Sequence, residues 1–415
     1  MANTHFIREL ASGLASQLTE WRRTFHRYPE LSFREFRTAQ FVAAALRNID
    51  GIKVETGVGI ETSVIGTLSS GEGPVIAIRA DMDALPIKEE NAADYRSRNE
   101  GMMHACGHDA HTAILLGTAT ILSEVFKRKI LRGTVKFVFQ PAEESIDQHG
   151  LSGSPYLVQA GVYDDVDAAM ALHMCPWLPV GAAQLHDGYS MASADVFEGR
   201  IYGTGGHGAY PELATDPTWM LGPVMQALHG IVARKVSALD PAVISIGQIH
   251  AGSASNIIPT EVFIEGTIRS YTPEVRSLLE AELKKAFSIA EHLGGKYSFK
   301  VTKGEPALNN SPVVNKWIEH RLLEMYPGFE IVKKPFGMGG EDFGYVTQKL
   351  PASLFFLGCA LQDHLKRDLH TPIFDIDESC LPIGAAVLAQ TAASFLSGDV
   401  GVLNHKTVEV QAHGA

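Results

Sequence analysis

Cysteine is scarce in this chain, with four in 415 residues. Cys175, Cys359 and Cys380 sit among apolar neighbours, and Cys106 lies between two histidines. That distribution suits a reducing compartment and makes the cytoplasm the expected location. Excess positive charge is missing too. Lys and Arg number 35 against 47 Asp and Glu, a formal net charge of -12, which argues against nucleic acid or an anionic membrane as partner. No run of roughly 18 apolar residues reads as a membrane span. The first ten residues carry charges where a signal peptide needs an apolar stretch. Internal repeats and low-complexity tracts are also absent. What remains is a chain that is 45% hydrophobic and 20% charged, long enough to bury a large core and to form two domains.

The richest local chemistry is the octapeptide HACGHDAH at residues 104–111. Cys106 and His108 flank Gly107, close enough for a thiolate and an imidazole to meet one metal ion, and both are ligand types that zinc and its neighbours prefer. A C-x-H spacing is common by itself, so its weight depends on other donors. QPAEE, residues 140–144, follows Thr134–Phe139, a β-branched and aromatic run that reads as a buried strand. Pro141 ends that strand and leaves Glu143 and Glu144 on the loop at its C-terminal end, where open α/β sheets bind ligands. Adjacent carboxylates call for a cation or a proton between them; the plain alternative is a solvated acidic loop. His173 follows the apolar run 166–172, and His370 precedes Thr371-Pro372 in an extended loop. Taken singly, each is an ordinary histidine. Together, Cys106, His108, Glu144, His173 and His370 could hold two divalent ions, leaving Glu143 without a metal and able to act as a base.

The coarse pattern predicts helices near 6–24, 35–48 and 109–126, the last capped by Asp109, and strands at 52–56, 62–68, 74–80, 133–139 and 166–172. From residue 194 the order becomes strand 194–203, helix 215–236, strands 243–250 and 261–270, helix 273–294 and strand 297–303. This βαββαβ series is the split βαβ arrangement. A helix at 311–326, a strand at 353–358 and a helix at 378–397 then rejoin the first unit. The expected fold is therefore α/β: a mixed sheet flanked by helices, with a ferredoxin-like α+β domain inserted. The expected divisions are 1–186, 187–303 and 304–415.

At this point the chain resembles the M20 metallopeptidase superfamily, in its amidohydrolase branch of hippurate hydrolases, N-acyl-amino-acid amidohydrolases and auxin-conjugate hydrolases. The likeness runs in order through His26-Arg-Tyr-Pro-Glu-Leu-Ser-Phe33, RADMDALP at 79–86, HACGHDAH, QPAEE, GGHGAYP at 205–211, GSASNIIP at 252–259, GTIR at 266–269, MGGEDFG at 338–344 and His370-Thr-Pro372. The resemblance implies Cys106, His108, Glu144, His173 and His370 as ligands of two divalent metals (zinc, manganese, nickel or cobalt), with Glu143 as general base. Other branches carry H-x-D where this chain has Asp81-Met-Asp83, so Asp83, and with less support Asp81, is expected to orient ligands from behind. Further along, the resemblance makes the inserted domain a lid and dimerisation domain. His207 would reach the partner subunit's active site, and Asn256 with Arg269 would hold the substrate's carboxylate end. Read without it, these three are a turn histidine, a turn asparagine and a solvated arginine. Glu341-Asp-Phe343 is expected to shape the pocket.

The implied activity is metal-assisted hydrolysis of N-acyl amino acids to a carboxylic acid and a free amino acid, in a homodimer or higher homo-oligomer. A water between two ions about 3.5–4 Å apart becomes a hydroxide source. Glu143 takes its proton and later gives it to the leaving amine, while His207 helps stabilise the oxyanion. A dipeptidase or carboxypeptidase would use the same water attack. A non-catalytic metal-binding relative would not need Glu143.

Overall fold

The computed structural model describes residues 4–129, 131–363 and 365–399. The chain divides into two compact units, crossing between them after Gly188, Leu308, Pro335 and Gly344.

The first unit is built on an eight-stranded mixed sheet. Its spatial order is Ile52–Thr56, Val64–Ser69, Thr134–Gln140, Val75–Asp81, Ala168–Pro179, Ala352–Ala360, Ala182–Gln184 and Glu330–Val332. The central pairs, Val75–Asp81 with Thr134–Gln140 and with Ala168–Pro179, and the latter with Ala352–Ala360, are parallel. Such strands are buried on both faces and so read as near-continuous apolar runs. Ala352–Ala360 is buried over eight of its nine residues. Helices Thr4–Gly13, Ala15–Arg27, His108–Lys127, Pro312–Met325 and Cys380–Ser397 share one hydrophobic core with these strands. Cys380–Ser397 is long and apolar enough, by length and composition, to cross a membrane, a feature the sequence reading passed over; here most of it is buried in the protein.

The second unit carries a four-stranded antiparallel sheet in the order Ala242–Ala251, Glu261–Ser270, Ser193–Tyr202, Lys296–Lys303. Helices Pro217–Lys235 and Pro273–Phe287 connect its first and second strands and its third and fourth, giving the βαββαβ order read from the sequence. The alternating burial of Glu261–Ser270 shows why: Val262, Ile264 and Ile268 face a core of Phe197, Leu228, Leu283 and Phe287. Each helix starts on a polar cap followed by proline. Asp216 accepts from the Thr218 amide at 2.8 Å, and Thr272 from Val275 at 3.3 Å.

Three local expectations need correction. The first long helix is two, Thr4–Gly13 and Ala15–Arg27. The helix expected from 109 begins at His108 after a left-handed Gly107, φ 96°, and Asp109 does not cap it. That carboxylate is taken by Arg22 and His26 instead. The strand expected to stop at 172 runs from Ala168 to Pro179, so His173 lies inside it.

Candidate metal centre

Three adjacent strands of the first sheet deliver the polar residues to one edge. Val75–Asp81 leads into Asp81 and Asp83, and its parallel neighbour Thr134–Gln140 leads into Glu143 and Glu144. On the other side Arg79 is level with Ala171, which sets His173 level with Asp81. The buried start of the helix His108–Lys127 adds Cys106 and His108. His370 comes from a loop whose amide donates to the Ala105 carbonyl at 2.8 Å, with its own backbone left-handed at φ 60°.

The five expected ligands converge. Cys106 Sγ lies 3.4 Å from His173 Nε2, while Glu144 Oε1 lies 3.3 Å from His370 Nε2 and 3.7 Å from His108 Nε2. The donor groupings whose atoms lie within 4.8 Å of one another include Cys106, His108 and His173; Cys106, Glu144 and His370; and His108, Glu143 and Glu144. Cys106 belongs to two of them.

The hydrogen bonds behind these groups fix which atoms face inward. His108 Nδ1 faces the Asp83 carbonyl oxygen at 2.9 Å, which can only accept, so Nδ1 carries a proton. The neutral ring therefore presents a lone pair at Nε2. Among the described residues, both His108 Nε2 and Glu144 Oε1 are buried without a hydrogen-bond partner. Two acceptors thus confront each other, and positive charge between them, a proton or a metal ion, resolves the conflict. Burial opposes charge on His108, yet Asp81, Asp83 and Glu144 push its pKa up to about 10. His173 donates Nδ1–H to the Met174 carbonyl at 2.9 Å and is held neutral by burial and by His111, so its Nε2 lone pair faces the thiol. Burial, then the carboxylates Glu144 and Glu143, drives the Cys106 thiol up; a cation would reverse that balance. The donor set fits a divalent metal.

Asp83 stands where expected, behind His108. Its Oδ2 accepts from Ser32 Oγ at 2.6 Å and from the Glu144 amide at 3.0 Å, so one side chain supports two of the convergent residues. Asp81 accepts from Arg79 at 2.7 Å and from His111 Nδ1 at 2.5 Å. His111 Nε2 in turn accepts the Met174 amide at 2.9 Å. His111 thereby locks the helix of His108 to the strand of His173, a role the sequence reading missed. The available signal was the HDAH spacing, which puts His111 one turn beyond His108.

In the second unit His207 and Asn256 are neighbours. The short strands Gly206–His207 and Ile257–Ile258 pair, and the Gly208 amide donates to the Asn256 carbonyl at 2.9 Å. Both residues are exposed. Arg269 is not with them. The two short strands form a separate ribbon that lies in the chain just after Tyr202 and just before Glu261, whereas Arg269 sits opposite Ala194 and Val243 at the far end of Glu261–Ser270. Eight residue steps along that strand amount to about 26 Å. Gly340 of the MGGEDFG segment backs onto this end: a Cβ there would lie 3.4 Å from Arg269 Nη1 and 2.6 Å from Glu305 Oε2. Glu341 and Asp342 are buried, and Glu341 Oε1 accepts from the Phe343 amide at 2.8 Å.

Residues 77–394 match the family described as peptidase family M20/M25/M40. The chain belongs to that family. Among its M20 relatives, an N-acyl-L-amino acid amidohydrolase of Geobacillus stearothermophilus is 41% identical over 306 residues, covering 73% of this chain and 80% of that one. Thermostable carboxypeptidase 1 of Saccharolobus solfataricus is 36% identical, covering 91% and 96%. The crystal structure of the YXEP protein of Bacillus subtilis, described as a dinuclear metal binding peptidase from the M20 family, superposes with a TM-score of 0.80. It is 32% identical, over 93% of this chain and 99% of that one.

Proposed function

We propose that this M20 hydrolase is a metal-dependent amidohydrolase that cleaves N-acyl amino acids into a carboxylic acid and a free amino acid. Cys106, His108, Glu144, His173 and His370 would hold two divalent ions. The observation that carries this reading is the buried confrontation of His108 Nε2 and Glu144 Oε1 across 3.7 Å, with neither atom hydrogen-bonded. Likeness to the Geobacillus amidohydrolase and the dinuclear YXEP protein supports it. The bound ions would supply Lewis acidity and ease ionisation of the attacking water. Mixed sulfur, nitrogen and oxygen donors admit zinc, manganese, nickel or cobalt. Glu143 takes a proton from that water onto its carboxylate and returns it to the leaving nitrogen. Asp83 keeps His108 in the tautomer that presents Nε2 inward.

The inserted unit, in the divisions 1–186, 187–303 and 304–415, serves as lid and dimerisation domain. His207 and Asn256 lie at the opposite end of the Glu261–Ser270 strand from Arg269, so a substrate touching all three draws on two copies of the chain. This favours a homodimer in which His207 stabilises the oxyanion in trans, with Asn256 and Arg269 at the substrate carboxylate. All four cysteines are free and buried, in keeping with a reducing compartment such as the cytoplasm.

Elemental analysis, with rates on hippurate, N-acetyl amino acids and dipeptides before and after chelation, tests the assignment. Turnover of the N-acyl substrates that chelation leaves untouched would sink it. The carboxypeptidase relative keeps peptide hydrolysis as a second reading, which a preference for dipeptides would establish.

A further inference from the structure

Four non-glycine residues among those described have left-handed backbone, and two of them hang on one carboxylate oxygen. Phe33, φ 65°, and Ala142, φ 55°, donate their amides to Glu35 Oε1 at 3.0 and 2.8 Å. Glu35 Oε2 accepts from the Thr62 hydroxyl at 2.9 Å, and the side chain is fully buried. An L-residue in this region is strained and persists only where its surroundings over-determine it. A buried carboxyl oxygen that accepts two amides at once is such a constraint.

Ala142 immediately precedes Glu143. The amide on the other side, of Glu144, is held by Asp83 Oδ2 at 3.0 Å. The Ala142 carbonyl accepts from Gly153 at 2.7 Å, where any Cβ would come within 1.7 Å of the Pro141 carbonyl oxygen. Glu35 therefore holds the peptide before Ala142, Asp83 holds the peptide after Glu143, and the Gly153 amide holds the one between Ala142 and Glu143.

We propose that Glu35 is a positioning residue: its carboxylate holds Ala142 in the left-handed conformation and so aims the Glu143 side chain at the metal centre. The inference rests on Glu143 being the proton-transferring group of the proposed reaction. Glu35 itself touches no reacting atom. Loss of its grip would let residues 141–143 relax into ordinary backbone and swing Glu143 away, without removing any metal ligand. Misplacement of about 1 Å is enough to cost roughly 100-fold in rate.

The test compares Glu35→Ala, Glu35→Asp and Glu35→Gln with the wild-type enzyme. Glu35→Asp keeps the carboxyl group but withdraws it by one methylene, so the argument does not depend on the alanine variant folding. Glutamine retains an oxygen for both amides, and Thr62 can turn its hydroxyl to accept from the new NH2 group. The first readout is hydrogen exchange at the Ala142 amide in metal-free protein. It should quicken at least roughly tenfold in the Ala and Asp variants and stay near wild type in Gln. The second is steady-state kinetics: kcat should fall by roughly 10- to 100-fold in Ala and Asp, with KM and metal stoichiometry close to wild type, and Gln should recover most of it. Adding Ala142→Gly to Glu35→Asp should recover part of kcat, since glycine adopts the left-handed conformation without the strain that alanine carries. Unchanged exchange at Ala142 in both Ala and Asp, or wild-type kcat in both, overturns the proposal. If the wild-type enzyme cleaves no N-acyl amino acid, the functional reading fails by itself, and the exchange result still decides whether Glu35 clamps the turn.

Discussion

Arg22 Nε donates to Asp109 Oδ2 at 2.8 Å, with both side chains fully buried. The same guanidinium reaches Asp375 Oδ1 at 3.0 Å and Glu378 Oε1 at 3.3 Å. Asp109 is the neighbour of His108, and Asp375 lies on the segment that follows His370. One arginine thus fastens together two stretches of chain that each carry a candidate ligand. Arg22→Met would take the buried guanidinium away from Asp109 and Asp375, a change that costs about 3–5 kcal/mol. Arg22→Lys keeps the charge but loses the fork, so its cost should be smaller. Urea unfolding of metal-free protein checks this; an Arg22→Met midpoint equal to wild type would contradict it.

Glu35 should leave a signature in the pH dependence of stability. Burial, and then the nearby Asp83 charge, raises its carboxyl from 4.5 to about 7. Between those values the native state holds a proton that the unfolded chain has released. Its contribution to stability is therefore complete below the unfolded value and is lost as pH rises through about 7. Glu35→Gln has no proton to lose, so its unfolding free energy should fall less than wild type's over that window. Parallel curves for the two metal-free proteins would refute the assignment.

The strands, and the short motifs that carry the candidate ligands, were readable because each is a local signal. The apolar run Val135–Phe139 and the alternation in Glu261–Ser270 are patterns of burial written residue by residue. The supports behind the site were hidden because they join distant positions: Glu35 to Ala142 spans 107 residues and Arg22 to Asp375 spans 353. Asp109 illustrates the competition. Its place at a helix start suggested a cap, but a buried guanidinium 87 residues away offers a stronger, charged partner. His173 was expected at the end of its strand because it follows the apolar run 166–172 and polar character breaks that run there. The strand nevertheless continues, with Pro179 paired level with Ala360.

Glu143→Gln separates proton transfer from metal binding. The amide keeps size and shape but cannot accept and return a proton. Hydrolysis should drop by roughly 100- to 10,000-fold while the metal-to-protein ratio stays at the wild-type value. Near-normal turnover would remove Glu143 from the reaction.

Cys106→Ala tests the centre from the other side. Cys106 occurs in two of the donor groupings, so its loss should weaken both. Metal content after gel filtration should fall below that of wild type, whereas His207→Ala should keep its full complement. An unchanged ratio in Cys106→Ala would make the residue an ordinary buried thiol.

The separation of His207 from Arg269 along one strand leads to a complementation experiment. In the proposed dimer each site takes its histidine from the other chain and its general base from its own. His207→Ala and Glu143→Gln homodimers should both be nearly inactive. A hybrid of the two contains one site with both defects and one with neither. Mixing the variants under conditions that exchange subunits should therefore restore activity, up to about one quarter of the wild-type rate, because half of the dimers are hybrids and half of their sites are intact. If mass spectrometry shows hybrids forming and the rate stays at the sum of the parents, His207 acts within its own chain or not at all.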